Sequence, residues 1–382
     1  MELLHAEVGL AQLSKSGEEL CGDNVEVVRT ASDTIIVISD GLGSGVKANI
    51  LATLTTKIAA SMLKRGIPLE DVVDTITATL PVCKQRKIAY STFHIIKITG
   101  AGLATVVEFD CPSTFLKRNN HVIVFPTMEK VVGGKIIREG QLSLQEDDIV
   151  VAVSDGVIHA GIGGLLKLGW GWQGIARQLA GGESAKVIDA DNLSRQVIQC
   201  CQGYYLDKAG DDSTVVSVRI RRPLLLTIFT GPPADRSYDQ KVVKRFLQQP
   251  GKKAVAGGTT ANIVSRITNR PLKVNLDYHD PAIPPTGTIE GIDLVTEGVL
   301  TLNAAVDRLR SSAAAWKQQD GASLLACMML EADQITIIAG SAVNPAHQNP
   351  NFPVQINIKS QVLNQLLAVL KEKGKQATIE WV

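Results

Sequence analysis

Four short motifs within the first 220 residues carry aspartates beside glycines. They are Cys21-Gly22-Asp23-Asn24, Ile38-Ser39-Asp40-Gly41, Val153-Ser154-Asp155-Gly156 and Gly210-Asp211-Asp212-Ser213. Asp40 and Asp155 each follow an apolar run that ends in serine, so each sits where a buried strand should stop. A carboxylate at the end of a buried strand points into whatever cleft opens there. Several such groups in one place repel one another and resist ionisation unless cations sit among them. Oxygen-only ligation suits the hard ions Mg²⁺ and Mn²⁺, and the lack of a histidine or cysteine cluster argues against zinc. A glycine after Asp40 and after Asp155 lets a backbone carbonyl come close enough to act as a further ligand. Taken singly, each Asp-Gly pair is ordinary turn chemistry. The set and its order are what carry the inference.

The rest of the composition narrows the function classes. The chain has 382 residues, which at about 150 per domain predicts two domains. Lys plus Arg number 39 against 38 Asp plus Glu, a net charge of +1. That leaves no broad basic field, so neither nucleic acid nor an anionic membrane is expected as a partner. The cysteines at 21, 83, 111, 200, 201 and 327 form no Cys-x-x-Cys pair, which disfavours a zinc finger or a disulfide framework. The N-terminal stretch has no basic region followed by an apolar core, so it does not read as a signal peptide. The most apolar window, 149–172, is broken by Asp155, His159 and Lys167. It is too polar to span a bilayer, and a cytoplasmic protein with reduced thiols is expected.

The elements that position the aspartates follow from periodicity. Strands are expected at 26–29, 34–38, 90–97, 103–109, 114–118, 121–124, 134–137, 149–153 and 213–220. Helices are expected at 46–64, 69–80, 171–180 and 192–206. Short strands flanked by paired helices make a layered α+β domain over 1–221. A charged run closed by Pro223 reads as a linker. From 224 to 382 strands alternate with helices, the pattern of a smaller α/β domain. After a Pro-rich loop at 281–285 its expected elements include a segment at 291–296, a helix at 301–311, strands at 334–338 and 353–358 and a helix at 360–373. In that domain Gly257-Gly258-Thr259-Thr260 follows a strand and opens a helix at 259–269. Free backbone N–H groups and hydroxyls there form a candidate anion cradle, although a helix cap with glycines for a tight turn is the plainer reading. Glu290, Asp293, Thr296, Glu297 and Gly298 are placed to line the same sheet edge.

The order Gly-Asp-Asn, Ser-Asp-Gly-Leu-Gly-Ser-Gly, Ser-Asp-Gly-Val and Gly-Asp-Asp-Ser-Thr resembles the PPM-type metal-dependent serine/threonine phosphatases, nearest their SpoIIE-like bacterial branch, over about residues 7–220. The resemblance implies an α-β-β-α sandwich with a binuclear Mn²⁺ or Mg²⁺ centre. It implies that Asp40 bridges the two ions, with the Gly41 carbonyl and Asp23 on one of them and Asp155 and Asp211 on the other. Asp40 and Asp23 then stand at the catalytic centre, with Asp212 and Ser44 behind the ligands. The implied reaction is in-line hydrolysis of phosphoserine or phosphothreonine by water activated between two ions, with no covalent enzyme intermediate.

The chain departs from the family pattern in three places. Ser44 stands where a histidine or asparagine is usual. Glu108 to Pro112 replaces an Asn-Ala-Gly-His-like turn. No arginine near the N-terminus forms the usual phosphate clamp; Lys117 and Arg118 are candidates, with a solvated strand end as the plainer reading for both. The implied partner is a phosphorylated protein, an anti-sigma-antagonist-type regulator being one such substrate, and a homodimer is open. The alternative is a non-catalytic phosphatase-fold scaffold with a ligand-sensing C-terminal domain.

Overall fold

A computed structural model describes residues 3–30, 32–79, 91–181, 189–275, 283–311, 320–342 and 355–382. Cys83 and parts of the segments expected at 281–285 and 353–358 lie outside them. The chain divides into two units, Met1–Arg222 and Pro223–Val382.

The first unit runs β1 (His5–Leu13), β2 (Asp23–Arg29), β3 (Asp33–Asp40), α1 (Gly45–Lys64), α2 (Leu69–Thr79), β4 (Phe93–Thr99), β5 (Leu103–Phe109), β6 (Phe115–Arg118), β7 (His121–Val124), β8 (Met128–Val132), β9 (Lys135–Ser143), β10 (Ile149–Val153), α3 (Asp155–Ile158), α4 (Gly171–Ala180), α5 (Ala190–Tyr204) and β11 (Ser213–Arg221). Its strands form two antiparallel sheets, ordered β1-β11-β10-β6-β7 and β2-β3-β4-β5-β9-β8. The sheets pack face to face, and the layers follow from strand alternation. In β3, Ile36 and Ile38 enter the core between the sheets, while Ile35 and Val37 enter a second core with α1 and α2. In β10, Val150 and Ala152 face the shared core, and Val151 and Val153 face a third core with α4 and α5. Both strands read as unbroken apolar runs because both of their faces are covered. The outcome is an α-β-β-α sandwich, an α+β fold.

The second unit runs β12 (Leu225–Thr230), α6 (Asp239–Gln248), β13 (Lys252–Ala256), α7 (Gly258–Thr268), β14 (Lys273–Val274), β15 (Gly287–Ile289), β16 (Ile292–Thr296), α8 (Val299–Arg310), α9 (Gly321–Glu331), β17 (Gln334–Ala339), α10 (Gln355–Glu372) and β18 (Gln376–Trp381). One sheet, ordered β14-β15-β16-β13-β12-β17-β18, is parallel from β16 to β18. Buried residues of α6 and α7 pack on one face, and those of α8, α9 and α10 on the other.

Some elements differ from expectation. The strand expected at 353–358 is helix from Gln355 onward, the first turn of α10. The alternation of Val354, Ile356 and Ile358 is too short to outweigh the helical signal that follows it. Helix α9 escaped notice because Gly321–Glu331 is apolar or small nearly all round and shows no stripe, the pattern of a buried helix. Strand β1 was not anticipated either. It pairs with β11 along its whole length, from His5 opposite Arg221 to Leu13 opposite Ser213. Among the described residues no helix is long and apolar enough to cross a membrane.

Candidate metal centre

Each sheet of the first unit brings its aspartates to one pair of adjacent strand ends. In one sheet, β2 begins at Asp23 and β3 ends at Asp40, and the antiparallel register sets these two residues directly opposite each other. In the other, β10 pairs with the start of β11, Val153 opposite Val215. Asp155 therefore leaves β10 where Asp211 and Asp212 lead into β11. Ser154 and Thr214 tie that end together: the Ser154 N–H donates to the Thr214 carbonyl at 3.0 Å, and the Thr214 N–H donates to Ser154 Oγ at 2.8 Å.

Glycine is required at two of these junctions. A Cβ on Gly41 would lie 2.0 Å from the Ala48 carbonyl oxygen in α1, and one on Gly156 would lie 2.0 Å from the Asp212 carbonyl oxygen. A side chain at 41 would push the end of β3 away from α1, and one at 156 would push the Asp155 and Asp212 segments apart.

The five carboxylates share one electrostatic environment. Asp40 is pushed up to about 9, first by burial and then by the charges of Asp23, Asp155 and Asp211. Asp23 is raised to about 6, again chiefly by burial, with the Thr214 and Ser154 hydroxyls opposing and Asp212 and Asp155 adding to the rise. Asp211 is raised by burial and by Asp155. Asp23 is 2% exposed, and among the described residues neither of its carboxylate oxygens has a hydrogen-bond partner. Thr214 Oγ1 accepts from Gln12 at 3.0 Å and Ser154 Oγ accepts from Thr214 N, which leaves both hydroxyl protons to oppose the rise at Asp23. Asp212 receives the Lys15 N–H at 3.0 Å on one oxygen, while its other oxygen is buried without a partner.

Buried anionic oxygens of this kind are costly unless a cation meets them. Hard oxygen donors, orphaned lone pairs and mutually raised carboxylates fit a divalent ion such as Mg²⁺ or Mn²⁺. Among the described residues, however, no three His, Cys, Asp or Glu side chains are drawn together into a preformed cage for one ion.

Other residues singled out in the sequence sit as follows. Ser44 is the residue before α1, and its hydroxyl donates to Glu18 Oε1 at 3.0 Å, so it is committed away from the aspartates. Lys117 donates to the Leu179 carbonyl at 2.7 Å, and Arg118 pairs with the buried Asp148 at 2.6 Å. Both are taken up by structural contacts. Gly257, Gly258, Thr259 and Thr260 lie in the second unit, at the start of α7.

The surroundings contain residues that periodicity did not single out. A cavity of about 790 Å³ opens beside Asp155, with Glu108, Asp110, Arg138, His159 and Trp172 on its wall. A much smaller void of about 20 Å³ touches both Asp40 and Asp155, with Thr92 and His94 beside them. Asp110, Cys111 and Pro112 line both spaces, so the turn that departs from the family pattern forms their common wall. Arg138 is the only lysine or arginine among the described lining residues of the larger cavity. Its guanidinium pairs with the fully buried Glu108 at 3.0 Å and donates to Ser113 Oγ and the Cys111 carbonyl, both at 2.8 Å. Arg138 could not be found by motif, because it lies on β9, far in sequence from the aspartates. His94 is held well below its usual value, at about 4, by burial, and its Nε2 lies 2.7 Å from Thr114 Oγ1.

A family model for stage II sporulation protein E (SpoIIE) matches residues 30–221, about half of the chain. The chain belongs to the SpoIIE family. The stage II sporulation protein E of Bacillus subtilis (strain 168) is 28% identical over 221 residues, 56% of this chain and 25% of that protein. The protein of the same name from Priestia megaterium is 26% identical over 161 residues, 40% of this chain and 27% of that protein. This chain therefore matches only about a quarter of the length of either. A solved structure of the PP2C phosphatase domain and a fragment of the regulatory domain of the cell fate determinant SpoIIE from Bacillus subtilis has a TM-score of 0.50 and 21% identity. It covers 58% of this chain and 63% of its own. That likeness establishes the shared phosphatase fold of this SpoIIE-family chain.

Proposed function

We propose that the first unit, residues 1–221, is a metal-dependent protein serine/threonine phosphatase of a bacterial signalling system, with residues 224–382 as its regulatory or ligand-binding domain. The observation that carries the reading is the gathering of Asp23, Asp40, Asp155, Asp211 and Asp212 at paired strand ends, with both Asp23 oxygens unpartnered, beside a cavity of about 790 Å³. Asp23, Asp40 and the Gly41 carbonyl would hold one Mn²⁺ or Mg²⁺ ion, and Asp155 and Asp211 a second, with Asp40 shared. In such a carboxylate set divalent ions supply Lewis acidity, neutralising phosphate oxygens and lowering the pKa of water.

The chain's own residues supply the rest. The cavity admits a phosphorylated side chain, and Arg138 on its wall offers a cation to the phosphate while Glu108 holds that cation in place. The Trp172 ring, stacked on Phe115 with centroids 4.6 Å apart, gives the wall a rigid apolar surface for the remainder of the substrate.

A covalent cysteine route is disfavoured by the thiols themselves. Burial and the Asp23 charge push Cys21 up to about 12, and burial followed by the Glu108 charge raises Cys111 further still. Neither yields a useful thiolate near neutral pH. The substrate class is a phosphorylated protein, an anti-sigma-antagonist-type regulator among the candidates, and a homodimer is compatible with this reading. The complete set of aspartates counts against a non-catalytic scaffold.

The test is release of phosphate from a phosphoserine protein with Mn²⁺ supplied. Asp40→Asn and Asp155→Asn should each lower the rate by about 100-fold or more, as should excess chelator. Undiminished turnover in both variants, or in chelator, would refute the assignment.

A further inference from the structure

The C-terminal unit has a sheet edge built like a ligand site. Its parallel strands are ordered β16-β13-β12-β17-β18, so successive strands are added to one side of β12 and then to the other. The order reverses between β12 and β17, and in open α/β sheets ligands bind outside the carboxyl ends of the strands at such a reversal. The register places Thr296, Ala256, Thr230 and Ala339 in one row across the four central strands. One or two residues beyond that row every strand reaches a glycine: Gly298, Gly257, Gly231 and Gly340. Gly231 and Gly257 have φ of +76° and +135°, conformations that side-chain-bearing residues rarely adopt.

Two helices begin side by side at this edge. A Cβ built on Gly298 would lie 3.5 Å from the Gly257 Cα, so the first turns of α7 and α8 start next to each other. Neither Gly257 nor Gly298 supplies a side-chain cap, which leaves first-turn N–H groups unclaimed by side chains. A Cβ on Gly258 would meet nothing within 4 Å. Among the described residues, nothing fills the space beside Gly258.

Independent observations at the same edge point to a ligand. Thr260 is 1% exposed, its hydroxyl has no partner among the described residues, and its Oγ1 lies 3.2 Å from the Cβ position of Gly257, directed back at the turn. Thr301, in the first turn of α8, is fully buried and its hydroxyl is also unpartnered. Lys359 from α10 reaches the junction of β12 and β17, where it donates to the Gly340 carbonyl at 2.5 Å and lies against Gly231. Among the described residues no carboxylate pairs with it. Neighbouring strands are about 4.8 Å apart, so this ammonium is roughly one strand over from the Gly257 turn.

Unclaimed N–H groups, two orphan hydroxyls and an unpaired cation together favour an anion. The edge also holds Glu297, one of whose carboxylate oxygens is buried without a partner. That group repels a bare anion and needs a donor. A ligand that suits both halves carries a phosphate and free hydroxyls on one small frame.

We propose that this edge binds a phosphorylated sugar of the nucleotide class, its phosphate in the Gly257–Thr260 turn facing Lys359 and its sugar hydroxyls on Glu297. The site belongs to the second unit and is separate from the aspartate cluster.

The test uses the full chain in EDTA, which keeps divalent ions out of the N-terminal unit. Thermal melts and titration calorimetry are run with AMP, ADP, ATP, ribose 5-phosphate and inorganic phosphate as separate probes. At least one nucleotide or the ribose phosphate should raise the melting temperature, and should do so more than inorganic phosphate. Gly258→Asp places a negative charge at a helix start, where it should hold or slightly raise the unliganded melt and abolish the shift. Lys359→Gln should weaken binding at least about tenfold. The proposal fails if none of the five probes shifts the melt, if inorganic phosphate matches the sugar phosphates, or if Gly258→Asp keeps the full shift. Should Lys359→Gln disturb the fold, Gly258→Asp decides the question alone.

Discussion

Replacing Asp40 by Asn separates what its carboxylate offers a cation from what it costs the fold. The folded chain raises this group from 3.8 to about 9, by burial first and by Asp23, Asp155 and Asp211 next. Between those values the folded state binds more protons than the unfolded state, so stability in chelator falls as pH rises. At pH 8 the ceiling for one independent site is about 6 kcal/mol, from about four pH units at 1.36 kcal/mol each. Asp23, Asp155 and Asp211 share that strain and local water relaxes it, so a gain on the order of 2 kcal/mol is expected for the neutral isostere. For a unit of this size that amounts to about 4–8 °C in melting temperature. The assay is thermal or urea unfolding in EDTA at pH 4 and pH 8, followed by a Mn²⁺ titration. Asp40→Asn should be more stable than the parent at pH 8, nearly equal to it close to pH 4, and less stabilised by Mn²⁺ at every pH. Equal stability at pH 8, or an advantage that grows as pH falls, would refute the reasoning.

Other substitutions probe the frame around the site. Gly156→Ala puts a Cβ 2.0 Å from the Asp212 carbonyl oxygen, so a loss of about 1–3 kcal/mol is expected in urea unfolding, with weaker Mn²⁺ binding by calorimetry. Arg138→Ala strands the fully buried Glu108 and should cost about 3–5 kcal/mol, most of it recovered in the double variant Arg138→Ala/Glu108→Gln while phosphatase activity stays low. Ser44→Ala loses only a partly exposed hydrogen bond to Glu18, and Mn²⁺-dependent turnover should remain within about threefold of the parent.

The layered fold was legible because its strands carry their own signature. Runs such as residues 35–38 and Ile149–Val153 are apolar without interruption, and the cores on both of their faces explain why. The aspartates were legible for a related reason: polar residues that abruptly end such runs stand out. Arg138 and Glu108 were not, because each lies within an ordinary half-polar strand and acquires its role only when β5 pairs with β9, Glu108 opposite Arg138. Lys359 was invisible in the same way. Nothing in its helical surroundings announces that the side chain crosses to the Gly340 carbonyl at the end of another strand. Helix α9 lacked a stripe because its exposed positions Leu324 and Cys327 are apolar like most of its buried ones.

The position of the aspartates also explains why they cluster without collapsing the fold. Each sheet contributes its acidic residues at the rim, where strands end and backbone pairing ceases, while the core between the sheets stays apolar. The repulsion among carboxylates is thus confined to one edge of the sandwich, and the rest of the layered core bears its cost. A cation at that edge would act on charges held apart by two rigid sheets, with little of the binding energy spent on ordering the chain. The glycines at 41 and 156 allow close local packing, since a Cβ at 41 would strike the Ala48 carbonyl of α1 and one at 156 the Asp212 carbonyl. On this argument metal affinity depends on sheet-to-sheet distance as well as on the carboxylates themselves, so a core substitution between the sheets should weaken Mn²⁺ binding without touching a ligand. Ile38→Ala is the sharpest case, because Ile38 lies two residues before Asp40 and is buried in the inter-sheet core. It should cost about 2–5 kcal/mol of stability and lower Mn²⁺ affinity. An unchanged affinity in the folded variant would show that the aspartates are positioned locally, by their turns alone.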